Sequence, residues 1–130
     1  MDKIQPSASH LSQTYWEACK QGVLRLQYCL NCRQYQFYPR ILCNNCAQSQ
    51  LDCKDVSGKG TISSFTIVTR PVSKAYKSPY VIALVDLDEG PRMMSSIVDI
   101  GDKTVKIGAK VSVAFEQWSE KITMPVFRII

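Results

Sequence analysis

Four cysteines stand in two pairs, Cys29-x2-Cys32 and Cys43-x2-Cys46, separated by ten residues. Each pair can turn two thiolates toward one ion, and four soft sulfurs complete the tetrahedral shell that Zn2+ prefers. A shell closed by sulfur keeps no position for water or substrate, so the chemistry is that of a structural staple. The segment between the pairs, Arg33 to Leu42, is too short for a helix with its own core. It suits a short hairpin in which Tyr35, Phe37 and Tyr38 are strand formers and Pro39 ends the run. The pattern predicts a zinc ribbon.

Other uses of these cysteines fit less well. Disulfides require an oxidising compartment, and the polar opening Met1-Asp-Lys-Ile-Gln-Pro has no charged-then-apolar leader, so a cytoplasmic location is expected. A thioredoxin-type pair sits at the mouth of a helix beside a parallel sheet, and neither pair has that context. Cys19 and Cys53 lie outside the spacing and are expected to be small buried apolar residues. No catalytic set emerges. The one histidine, His10, lies near the polar terminus with no nucleophile beside it. Asp86, Asp88 and Glu89 cluster at a turn with no neighbour to raise a carboxyl pKa.

The elements that must position the cage flank it. With 130 residues, the chain supports one compact domain or a metal-stapled module joined to a modest one. No apolar run is long enough to span a bilayer. Residues 1–22 read as a polar tail (1–9) and a short helix from Leu11 to about Gln21. Leu11, Tyr15, Trp16 and Cys19 recur there at helical spacing, and Gly22 is the stop. A helix this short must pack on the ribbon or on a partner. Residues 23–56 form the ribbon, with a strand from Val23 to Tyr28 and a last one from Leu51 to Val56.

Residues 57–130 are dense in β pattern. Strands are predicted over Thr61–Thr69, Tyr80–Leu87 (apolar enough to be covered on both faces), Met93–Ile100, Lys110–Glu116 and Ile122–Ile130. Asp88-Glu-Gly-Pro is a turn between two of them. Residues 101–109 are too compact for a long helix. Five short strands at this spacing predict a closed barrel of the OB type. The fold class is therefore mainly β: a short N-terminal helical segment, a zinc ribbon and a five-stranded OB-fold barrel. Val126, Phe127, Ile129 and Ile130 either close that barrel or, with Tyr15 and Trp16, form a docking face.

Trp16, the run Gly22-Val-Leu-Arg-Leu-Gln-Tyr-Cys29, Phe37-Tyr-Pro-Arg40, the second cysteine pair, Gly58-Lys-Gly60, SSFT at 63–66 and LDEGPRMMSSI at 87–97 occur in this order. Together they resemble the DUF35 OB-fold/zinc-ribbon family over about residues 11–116. Two departures stand out: Arg33 where a glycine or other small residue often follows the second zinc cysteine, and Asn44-Asn45 where the second knuckle usually carries proline. Neither removes a ligand. The resemblance implies a rubredoxin-like ribbon followed by an OB barrel. It also implies a non-catalytic accessory protein of acyl-CoA metabolism, one that binds or passes along acyl-CoA. Its partner would be a thiolase-like enzyme or another acyl-CoA enzyme such as a hydratase or aldolase.

A CoA ester carries phosphates, an adenine face and a long arm, so it needs cations, an aromatic shelf and a narrow groove. Arg40 follows Phe37-Tyr38-Pro39 and can either fork onto phosphate oxygens or fix ribbon to barrel. Arg70, Lys74, Tyr76 and Lys77 share one loop with a ring for adenine, or simply face water. Arg92 contacts ligand or neutralises Asp88 or Glu89. The rival function is single-stranded nucleic-acid binding, common among OB barrels. The formal charge of +5 argues weakly for it, since four thiolates remove four charges and Zn2+ returns two, leaving +3. Residues 61–130 hold nine Lys/Arg against seven Asp/Glu, and Asp86, Asp88, Glu89 and Asp99 on the barrel would repel phosphates.

Overall fold

The computed structural model describes residues 3–130. Helix α1 (Gln13–Lys20) starts later than its apolar spacing predicts, leaving Leu11 outside it and exposed. The chain leaves it through Gln21 and Gly22, whose φ of 77° only glycine adopts without strain. The Gly22 N–H bonds Cys19 O and the Val23 N–H bonds Ala18 O, a Schellman closure that satisfies the last carbonyls. The buried face of α1 carries Tyr15, Ala18 and Cys19.

The ribbon is a three-stranded sheet of order β2-β1-β3, built from β1 (Arg25–Cys29), β2 (Gln34–Gln36) and β3 (Leu51–Asp55). The expected hairpin between the cysteine pairs does not form. β2 pairs instead with β1 across the first knuckle (Tyr28 opposite Tyr35), and Phe37 and Tyr38 lie beyond the strand. The knuckle itself is the turn: the Arg33 N–H bonds Cys29 O at 2.8 Å and brings β1 and β2 side by side. Cys53 is exposed, against expectation: it sits on edge strand β3, four of whose five residues face solvent.

The second unit is a closed barrel of order β4-β5-β6-β8-β7. Its strands are β4 (Lys59–Val68), β5 (Tyr80–Leu87), β6 (Arg92–Ile97), β7 (Lys110–Gln117) and β8 (Thr123–Ile129). Closure is made by β4 pairing with β7 and by a parallel contact of β6 with β8 at Ile97–Phe127. β4 shifts register between Ile62 and Ser64, a bulge that lets one long strand bend into two sides of the barrel. Residues 101–109 hold turns and no helix. β5 departs from its predicted two-sided burial: Val81, Ala83, Val85 and Leu87 are fully buried, while Tyr80, Ile82, Leu84 and Asp86 are half-buried. A small barrel fills its interior from one face only. β6 stops three residues early, where Asp99 turns left-handed at φ 51°.

One core runs through all three pieces. Tyr15, Cys19, Leu24 and Leu26 from helix and ribbon pack contiguously with Ile62, Val85 and Phe127 of the barrel. Phe127 and Ile129 belong to that core, Val126 is buried against the junction cavity on the other face of β8, and Ile130 is exposed. Gly60 pairs with Leu87 on one side and Val111 on the other. A Cβ there would stand 2.6 Å from Asp86 O and 2.7 Å from Val85 Cγ1, so the strands meet this closely only over glycine. The N-terminal tail is not idle: Lys3 pairs with Glu116 and lies 4.8 Å from the Trp118 ring centre.

Candidate metal centre and ligand groove

Cys29, Cys32, Cys43 and Cys46 converge, with all four sulfurs within 4.8 Å of one another. Cys29 Sγ lies 3.6 Å from Cys46 Sγ, and Cys32 Sγ lies 3.5 Å from Cys43 Sγ. A regular tetrahedron with metal–sulfur bonds of about 2.3 Å has sulfurs about 3.8 Å apart. The donor set, its distances and its chemistry therefore fit a four-coordinate thiophilic ion.

Backbone donors face both knuckles: the Cys32 N–H, three residues on, points at Cys29 Sγ (3.5 Å) and the Asn45 N–H, two residues on, at Cys43 Sγ (3.4 Å). Each knuckle closes with a residue in the left-handed region, Arg33 (φ 57°) and Ala47 (φ 60°), whose N–H groups bond Cys29 O and Cys43 O. This is the position at which a glycine would be unstrained. Backbone N–H groups of Cys46 and Asn45 pull the Cys43 thiol down to about 6. The Asn31 side chain and the Gln48 N–H lower Cys46, while desolvation pushes Cys32 up to about 12. The second knuckle is thus the side prepared to meet a cation as thiolate.

Behind the cage lies a polar brace that the sequence pattern did not reveal. Gln36 is buried, 3% exposed. Its Nε2 donates to Gln27 Oε1 (2.7 Å) and its Oε1 accepts the Asn44 N–H (2.9 Å). Gln27 in turn accepts the Arg40 N–H and donates to Arg40 O, both at 2.8 Å. The two glutamines thereby tie β1 and β2 to the chain entering the second knuckle. The one legible signal was their repeat, Gln27 and Gln36, on strands that turn out to be paired.

Where helix, ribbon and barrel meet, a cavity of about 410 Å3 opens. Its wall includes Trp16 of α1, Phe37 and Tyr38 of the ribbon, Met94 of β6, and Trp118 and Met124 of the β7–β8 hairpin. Tyr15 holds this wall together, its ring 5.0 Å from Trp16 and 5.3 Å from Phe37. Burial raises the Tyr15 hydroxyl well above its ordinary value and the neighbouring Cys19 thiol to about 11, so both stay neutral. Apolar and aromatic lining with an open mouth suits an acyl chain or an apolar side chain of a partner.

The cations singled out from the sequence do not converge. Arg40 is exposed and is held by its backbone. Arg92 forks onto Asp86 (2.6 and 3.3 Å), not onto Asp88 or Glu89, because antiparallel register sets Arg92 opposite Asp86. Glu89 instead accepts the Ser57 N–H. Arg70, Lys74 and Lys77 are exposed on the β4–β5 loop, and Tyr76 packs near Tyr80 and Trp118. That loop leaves the sheet at Val68–Tyr80, whereas Arg92 meets Asp86 six residues further along β5. At about 3.3 Å per residue this is roughly 20 Å of strand.

These features define a class: a four-sulfur ribbon locked by a common core onto an OB barrel, with an apolar groove at the junction. Residues 16–52 match the description "ChsH2, rubredoxin-like zinc ribbon domain" and residues 54–116 match "ChsH2, C-terminal OB-fold domain". A "DUF35 domain-containing scaffold protein" of Methanothermobacter thermautotrophicus is 36% identical over 95 residues, 72% of this chain and 71% of that protein. The chain belongs to the DUF35 OB-fold/zinc-ribbon family. It is also similar to a "Probable enoyl-CoA hydratase alpha subunit" of Thermomonospora curvata, 31% identical over 95% of this chain but only 39% of that protein's length. The solved structure titled "Ltp2-ChsH2(DUF35) aldolase" superposes with a TM-score of 0.86 at 30% identity, covering 96% of this chain and 98% of that one. A DUF35 protein from Sulfolobus solfataricus shares the fold at 16% identity, with a TM-score of 0.69 over 95% and 87% of the two chains.

Proposed function

We propose that the protein is a non-catalytic accessory subunit that binds or passes an acyl-CoA and docks on a thiolase-like or other acyl-CoA enzyme. The observation that carries this reading is the apolar groove at the helix–ribbon–barrel junction. It is the right size for the apolar part of such a ligand, and it is lined by side chains from three elements that the common core holds fixed. Relatives named as a scaffold protein, a hydratase alpha subunit and part of an aldolase support the same class of role. Zn2+ in the sulfur cage is structural in this reading: Cys29, Cys32, Cys43 and Cys46 hold the ribbon so that Phe37 and Tyr38 form one wall of the groove.

The rival reading, single-stranded nucleic acid, draws no support from the charges. Arg92 sits on Asp86 and Arg128 on Asp99, at 2.6 and 2.7 Å, so among the described residues the arginines of the barrel strands are ion-paired, not free to track a phosphate backbone. Among the described residues no helix is long and apolar enough to cross a membrane.

Acyl-CoA titration of the zinc-loaded protein, followed by Trp16 and Trp118 fluorescence, tests the ligand. Met94 is 58% exposed and lines the groove, so Met94→Asp should leave the fold intact and weaken acyl-CoA binding about ten-fold or more by desolvating a charge against the ligand. Unchanged affinity in that variant overturns the assignment of the groove. Affinity purification from the native source, with metal analysis of the same sample, tests partner and zinc together.

A further inference from the structure

On the ribbon face next to the groove lies a second cleft, of different chemistry and about 620 Å3. Tyr28 and Tyr35, opposite each other on β1 and β2, form its floor with ring centres 4.8 Å apart at 65°. Lys54 of β3 rests its ammonium 3.9 Å from the Tyr28 ring centre. Arg33 projects from the left-handed end of the first knuckle, and the Gly90-Pro91 turn of the barrel closes the far side. Among the described residues neither Arg33 nor Lys54 has a carboxylate partner. Glu89, the one acidic group in the wall, is engaged with the Ser57 N–H (2.9 Å) and hydroxyl (3.5 Å).

We infer that this cleft binds the phosphorylated nucleoside end of a ligand, with the tyrosine pair as shelf for the base and Arg33 and Lys54 as the phosphate contacts. Three observations carry the assignment. Arg33 and Lys54, not ion-paired although Asp52 stands opposite Tyr28 on β3, flank two half-buried aromatic rings, a set that suits a base joined to phosphates better than an acyl chain. Arg33 takes the left-handed position (φ 57°) that closes the first knuckle, and its exposed side chain lines the cleft. The cleft also shares both its elements with the apolar groove. Tyr35 and Pro91 line the cleft, while Phe37 and Met93, two residues further along the same segments, line the groove. Two extended residues span about 7 Å, so the two openings lie close along one ribbon–barrel seam. Lys54 needs only a change of rotamer to exchange the Tyr28 ring for a phosphate oxygen.

This inference rests on the acyl-CoA reading for the identity of the whole ligand, and it replaces the Arg70–Lys77 loop as the place where the nucleotide sits. The test is titration of the zinc-loaded, isotope-labelled protein with adenosine 3′,5′-bisphosphate, adenosine, inorganic phosphate and an acyl-CoA, read by amide and side-chain NMR shifts. The bisphosphate should move Tyr28, Tyr35, Arg33 and Lys54. Lys54→Glu should weaken it about ten-fold or more, as loss and reversal of a charge-assisted contact requires. Arg33→Gly should weaken it similarly while leaving the protein at least as stable, which separates lost binding from lost folding. Shifts confined to residues 70–77, equal response to phosphate alone, or undiminished affinity in both variants would overturn the cleft. The two readings fail separately. Acyl-CoA binding that maps to the groove and survives both variants keeps the groove and sinks the cleft. Bisphosphate binding in the cleft without any acyl-CoA response keeps the cleft and sinks the acyl-CoA reading.

Discussion

Replacing Gln36 with leucine probes how the ribbon is held, because the change keeps the side chain's bulk and removes only its polarity. Gln36 is 3% exposed and makes two short hydrogen bonds, to Gln27 Oε1 at 2.7 Å and from the Asn44 N–H at 2.9 Å, with a longer one of 3.4 Å to Leu42 O. In Gln36→Leu those groups lose their partner. Asn44 can turn to water, whereas Gln27 Oε1 keeps only the Arg40 N–H. Two short hydrogen bonds are lost, at roughly 0.5–1.5 kcal/mol each, about 1–3 kcal/mol together. Asn44 lies inside the second knuckle, so the cost should fall on metal binding as well as on folding, the two being linked in small metal-stapled units. That range corresponds to zinc affinity about 5- to 150-fold weaker. Competition against a chromophoric chelator measures it, with Gln34→Ala, an exposed position on the same strand, as the control that should change nothing. A folded Gln36→Leu protein that holds zinc within about two-fold of wild type would refute the brace.

Three further outcomes follow from the geometry. Gly60→Ala should destabilise the barrel by about 1–3 kcal/mol in denaturant unfolding, since its methyl would meet the Asp86 carbonyl at 2.6 Å; a loss below a few tenths would show that the strands yield there. In the zinc-loaded native protein a maleimide should label one thiol, exposed Cys53, and spare Cys19, which is buried with its thiol raised to about 11; labelling of Cys19 at a comparable rate would contradict the packed helix. Zinc affinity should fall as pH falls, because protons compete for thiolates. Cys43, lowered to about 6 by the Cys46 and Asn45 N–H groups, is already deprotonated above that pH and must release a proton on metal binding only below it. The slope of log affinity against pH should therefore steepen by about one unit below pH 6, and a constant slope would contradict those N–H contacts.

Much of the architecture was legible because it depends on short-range rules. Two CxxC pairs have one economical use at this spacing. Alternation and turn residues located all five barrel strands to within a few residues, and Gly22 marked the helix end through a φ that other residues resist. The departures are all matters of neighbourhood. Cys53 lies on an edge strand with nothing to cover it, Arg92 finds Asp86 through register, and β2 pairs across the knuckle instead of within its own segment.

The chain's residue order by itself determined the donors, the classes of element and their succession, since ligand chemistry, backbone preference and hydrophobic period are carried by residues a few positions apart. Only the tertiary structure decided which side chains share a surface. Trp16, Phe37, Met94 and Trp118 line one groove, the Arg70–Lys77 loop stands far along the barrel from Arg92, and Arg33, Lys54 and two tyrosines meet in a cleft. Those groupings follow from strand register and barrel closure, which bring together positions tens of residues apart and leave no periodic trace in the sequence.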